Sequence, residues 1–201
     1  MKAGVEAVGR AKSAIDHGFS RVGRALKVED PVDRALAGLA GRTIAIGNAI
    51  ALLCGRQHAN EALPLLRSLL EISVSMRWIA DKDRPARAEE FLKETIAPRW
   101  DSFLSDERLL ARMKALGYPA ELEDLARASC REHLKANAQG IPWGHVFEQD
   151  KCAGRSGEEV ARAAAGAMAH AVTALHEHWG EFPGAEEILR TASAVPQERK
   201  Q

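Results

Sequence analysis

The run Leu63-Pro-Leu-Leu-Arg67-Ser-Leu-Leu-Glu71-Ile-Ser-Val-Ser-Met-Arg77-Trp78-Ile-Ala80 constrains the fold more than any other part of the chain. It is apolar on most of its faces, and a helix that is apolar nearly all round belongs in the centre of a fold. Its charges are Arg67, Glu71 and Arg77. Arg67 and Glu71 stand four residues apart, so a helix places them on one stripe, which Ser75 and Trp78 continue. Burying charge is costly unless it is paired. The spacing therefore predicts one of two things. Either the pair is a structural clamp between helices, or it marks a polar pocket in which Arg67 grips an anion and Glu71 orients it.

Around this segment, alternating β-branched runs are absent and Ala, Leu, Arg and Glu dominate. The pattern predicts an all-α, antiparallel bundle of about six to eight helices around a buried Arg67/Glu71 helix. Residues 1–29 read as an N-terminal helical arm, with Val5, Val8, Ile15, Phe19 and Val22 at helical spacing. Residues 30–194 read as the bundle domain and 195–201 as a polar tail. Asp30-Pro31 is a helix start, with Asp as cap and Pro in the first position. The helix it opens runs to about Leu53 and forms a hairpin with the central helix. Ser156-Gly-Glu-Glu159 is a capping box that opens an Ala-rich helix reaching about Trp179. Residues 138–154 form one long loop, a feature that in compact domains often carries function.

Lys plus Arg equals Asp plus Glu at 28 each. This balance argues against a dedicated polyanion binder, which shows a strong basic excess. The three cysteines, Cys54, Cys130 and Cys152, are far apart and suggest free buried thiols rather than a zinc or redox pair. No signal-peptide pattern opens the chain, and the apolar run Ile44 to Cys54 is shorter than the roughly 20 residues of a membrane span. A cytoplasmic location, away from the membrane, is the expectation, with no cofactor and no metal. His170, His176 and His178 are spaced six and two apart, so one helix cannot present two of them together to an ion.

Two further constellations carry chemistry. Trp143 and His145 sit in the long loop, which can fold an aromatic ring and an imidazole over a pocket. Arg127 and His133 have a spacing that resembles the HEPN ribonucleases, helical proteins in which arginine and histidine act on the RNA backbone. That resemblance implies metal-independent RNA cleavage, with histidine moving the hydroxyl proton and arginine steadying the phosphate. Ala128 departs from it, because HEPN motifs usually carry a polar residue directly after the arginine. Arginine and histidine on a solvated helix face are the plainer reading.

The segment Ala62-Leu-Pro-Leu-Leu-Arg67-Ser68-Leu69-Leu70-Glu71, followed by Trp78 and Asp81, resembles an uncharacterised bacterial all-helical family catalogued as a domain of unknown function. The resemblance implies an all-α bundle with an arginine–glutamate–histidine polar centre, the histidine mapping to His145. It also implies an association with defence or toxin systems. The resulting expectation is a non-catalytic helical module that binds an unknown protein or small molecule through Arg67, Glu71, Trp78, Trp143 and His145. The alternative is a HEPN-like ribonuclease using Arg127 and His133, with RNA as partner only in that case. Small-residue stripes on Pro31–Leu53 and Val160–Leu175 imply close helix contacts, one of them available to a homodimer.

Overall fold

The computed structural model describes residues 2–96, 106–120, 122 and 156–193. Among them are seven helices and no strand: α1 (Lys2–Val22), α2 (Pro31–Gly55), α3 (Ala59–Asp81), α4 (Arg84–Ile96), α5 (Asp106–Ala115), α6 (Gly157–Trp179) and α7 (Ala185–Ser193). The all-α bundle expected from the helical periodicity is the fold observed.

Local chemistry accounts for the helix ends. Asp30 accepts a hydrogen bond from the Val32 N–H at 2.8 Å, and Pro31 occupies the first turn of α2. At the start of α6, Ser156 Oγ accepts from the Glu159 N–H while Glu159 Oε2 accepts from the Ser156 N–H, completing the capping box. Gly180 ends α6 at φ 76°, a left-handed conformation that glycine adopts without a Cβ penalty. Its N–H donates to the His176 carbonyl at 2.7 Å.

The centre of the bundle is the contact between α3 and α6. Leu66, Leu69, Leu70, Val74, Met76 and Ile79 of α3 are fully enclosed, as are Ala164, Ala165, Met168, Ala171, Val172 and Leu175 of α6. Individual contacts set the directions of the helices. Gly4 of α1 lies beside Ala161, near the start of α6, and Gly18 lies against Phe182 just beyond its end, so α1 and α6 run the same way. Asp33 of α2 meets His178, and Gly47 meets Met168, so α2 runs against α6. Arg77 of α3 pairs with Glu177 of α6, so these two central helices are parallel. Residues 1–29, read from sequence as an arm, contribute Ala7, Val8, Ala11 and Ile15 to the same core.

Close approach explains two of the glycines. A Cβ at Gly18 would lie 2.1 Å from the Phe182 ring, itself held edge-on by Phe19. One at Gly47 would lie 2.4 Å from the Met168 sulfur. The two small-residue stripes have different fates. That of α6 is consumed inside the bundle, with Val160 to Leu175 buried almost throughout. That of α2 is not: only 33% of its most apolar 18-residue window is buried. Among the described residues, nothing lies within 4 Å of where a Cβ would stand at Gly38 or Gly41.

Candidate functional site

Arg67 and Glu71 are both buried, at 6% and 8% exposure. Arg67 Nε donates to Glu71 Oε1 at 2.8 Å. Helix α3 supplies both groups from successive turns, which is what the four-residue spacing requires. Beside the pair, Leu39, Arg42, Ser68, Glu71, Ile72, Ser75 and Phe91 line a small cavity between α2, α3 and α4. Its volume is about 70 Å³. A water molecule needs about 10–15 Å³ of such space, so the cavity has room for a few waters. Sites for drug-sized ligands are about 300–1,000 Å³. Among the described residues, then, the void beside this buried pair is of hydration size.

Trp78 lies on the continuation of the same stripe but is engaged elsewhere. The Arg112 guanidinium sits 4.0 Å from its ring centroid and that of Arg87 at 5.0 Å. Arg87 also donates to the Trp78 carbonyl and pairs with Asp81 at 3.2 Å. These contacts tie α5 and α4 to the end of α3. The other proposed residues, Arg127, His133, Trp143 and His145, lie outside the described residues. So do Cys130 and Cys152. Cys54 is buried, and its burial pushes the thiol's pKa up.

Two polar constellations join residues far apart in sequence. In the first, His178 Nε2 and Asp33 Oδ1 are 2.7 Å apart, and Asp33 Oδ2 accepts from the Lys27 N–H at 2.8 Å. This links the end of α6 to the start of α2. In the second, Tyr118 stacks on His170 with ring centroids 3.9 Å apart, and its hydroxyl donates to Ser73 Oγ at 3.1 Å. Burial lowers the pKa of His170 to about 4, with the Arg77 charge adding to the effect. Burial likewise pushes the Tyr118 phenol well above its ordinary range. From the sequence, His170, His176 and His178 are read only against one another and their own helix. The residues they actually meet come from α2, α3 and the turn after α5, at separations where no local spacing gives a signal. Among the described residues, no cluster of three His, Cys, Asp or Glu side chains is arranged to hold a metal.

A model of a family of unknown function, DUF5677, matches residues 33–181. The chain belongs to the DUF5677 family. No curated protein and no solved structure matches it. The DUF5677 match begins at Asp33 and runs just past the end of α6, so it contains the buried pair, the His170 cluster and the Asp33–His178 link. It leaves out α1 and α7. An open groove of about 640 Å³ between those two helices, lined by Glu6, Arg10, Ser13, Glu187 and Ile188 among others, lies outside the DUF5677 portion.

Proposed function

We propose that this DUF5677 chain is a non-catalytic helical interaction module that acts as a symmetric homodimer, with the outward face of α2 as its interface. The observation that carries this reading is the exposure of α2. It has the length and apolar character to cross a membrane, yet only 33% of its most apolar window is fully buried, and Gly38, Gly41, Ala45 and Leu52 are exposed. Apolar surface left in water is unfavourable at roughly 25 cal/mol per Å². Among its exposed residues, Arg34, Gly38, Gly41, Ala45, Asn48 and Leu52 form one stripe, with Arg42 exposed beside it. Their alternating four- and three-residue spacing is that of a seam between two helices. Leu52 is 59% exposed, one of the most exposed large apolar side chains of the described residues.

Charge favours a second copy as the occupant. The stripe itself carries no carboxylate. Glu29 is exposed just before α2 and Arg56 just after it. An antiparallel pair of α2 helices crossing at Gly41 and Ala45 sets Glu29 of each copy near Arg56 of the other, and it opposes the two helix dipoles. Two-fold symmetry makes each such contact twice. Gly38 and Gly41 let the two backbones approach closely, since no described residue lies within 4 Å of where a Cβ would stand at either.

The test is light scattering with the wild-type chain, Gly41→Arg and Leu52→Glu. The wild type is expected to be a dimer at micromolar concentration and both variants monomers with unchanged circular dichroism. A wild-type monomer at the highest soluble concentration would overturn the reading. So would binding of the wild type to lipid vesicles through α2 without self-association. The ribonuclease alternative rests on Arg127 and His133, and no observation among the described residues favours it.

A further inference from the structure

We infer that the cavity between α2, α3 and α4 is a binding site for a small neutral carboxamide, a molecule the size of formamide. The observation behind it is Ser75. This residue is 2% exposed and lines the cavity, yet its hydroxyl has no hydrogen-bond partner among the described residues. A buried hydroxyl is costly to leave unsatisfied, so it calls for an occupant in the space beside it. Its oxygen is not one of the sealed, partnerless atoms among the described residues, so it keeps access to the cavity that the residue lines.

The lining sets the chemistry of the occupant. Glu71 brings a carboxylate, which only accepts hydrogen bonds. Ser68 donates its hydroxyl hydrogen to the Pro64 carbonyl at 3.3 Å, so towards the cavity it is an acceptor. The Ser75 hydroxyl both donates and accepts, and Arg42 on the α2 wall only donates. The rest of the wall is apolar, from Leu39, Ile72 and Phe91. An occupant therefore needs a donor and an acceptor a few bonds apart. Charge narrows the choice further. Arg67 Nε already donates to Glu71 at 2.8 Å, so an entering cation meets the guanidinium and an entering anion meets the carboxylate. An ion without its own counter-charge is costly to take from water into a buried site. A carboxamide is neutral and carries N–H donors beside a carbonyl acceptor. It gives to Glu71 and Ser68 and accepts from Ser75 or Arg42. Size agrees, because a cavity of about 70 Å³ holds a few waters and a compact amide reproduces their hydrogen bonds as it displaces them. Arg42 is exposed, so the α2 side of the lining reaches solvent. Ser68, Glu71 and Ser75 all belong to α3, and the site does not depend on a dimer.

The test is a titration of the full wild-type chain with formamide, followed in backbone and side-chain magnetic resonance spectra. Saturable movement of the Ser75 and Glu71 signals is expected at millimolar formamide, the range open to so small a ligand. The signals of Ala7 and Ile188, on α1 and α7, should stay in place. Formate, close to formamide in shape but negative, and ammonium, which is positive, are expected to give no saturable response. Ser75→Ala should weaken binding about fivefold to tenfold, the scale of one hydrogen bond. Ser75→Leu, which fills the cavity, should abolish it. Unresponsive Ser75 and Glu71 signals in the folded wild type would overturn the site and leave water as the occupant. A formate or ammonium response equal to that of formamide would overturn the choice of a neutral amide. An undiminished response in Ser75→Leu would place the binding elsewhere and overturn the site as well. The wild-type titrations decide the matter even where a Ser75 variant fails to fold.

Discussion

Glu71→Ala is expected to lower the folding stability measured in urea melts by about 3–5 kcal/mol, the usual cost of breaking a buried ion pair by removing one partner. Glu71 is 8% exposed, and its carboxylate accepts from Arg67 Nε at 2.8 Å. Its removal takes the Glu71 partner from Arg67, a residue itself 6% exposed in the middle of the central helix. Arg67→Met is expected to be costly for the mirror-image reason. The double variant Arg67→Met with Glu71→Leu should recover much of the loss, because apolar groups of similar volume often replace buried pairs without penalty. Losses below about 0.5 kcal/mol in both single variants would show the pair to be worth no more than an exposed one.

Acid should weaken the fold through His170. The histidine's pKa is lowered from the ordinary 6.5 to about 4 in the folded protein, because burial and the nearby Arg77 charge disfavour the imidazolium. Between these values the unfolded chain binds a proton that the folded chain does not. Stability from this group is therefore fully present above about pH 6.5 and declines as the pH falls towards about 4. The loss across that window is about 2–3 kcal/mol, allowing for partial access of water to the ring. Tyr118 stacks on the imidazole, and Arg77, paired with Glu177, is the charge that bears on it. His170→Gln should flatten this part of the stability–pH curve in urea melts run at several pH values. An unchanged slope would assign the acid sensitivity to other groups.

What could be read in the chain, and what could not, follows from the range of each signal. The position of α3 was legible because a helix apolar on nearly all its faces has nowhere else to go. The starts of α2 and α6 were legible because Asp30-Pro31 and Ser156/Glu159 act within a single turn. The depth of the Arg67/Glu71 pair followed from the surrounding leucines. Its small cavity did not, because that void depends on Leu39 and Phe91, contributed by α2 and α4. The Tyr118–His170 stack and the Asp33–His178 bond were illegible for the same reason, since each joins segments that only the bundle brings together. The glycines of α2 gave an ambiguous signal. Gly47 and Gly38 look alike in sequence, yet one abuts Met168 and the other has no described residue within 4 Å of where a Cβ would stand. Local pattern shows that a small residue permits close packing but does not say against what.

The most direct measurement of the central proposal is oxidative cross-linking between copies at the α2 crossing. A disulfide needs Cα atoms about 4.4–6.8 Å apart, so it reports register as well as contact. Gly41→Cys and Ala45→Cys chains are prepared separately, oxidised alone and as a mixture, with the wild-type chain as the background for its own cysteines. Antiparallel pairing places position 41 of one copy opposite position 45 of the other, so the mixture is predicted to yield markedly more covalent dimer than either variant alone. Equal yields in all three samples, at the wild-type level, would contradict a second copy seated on α2.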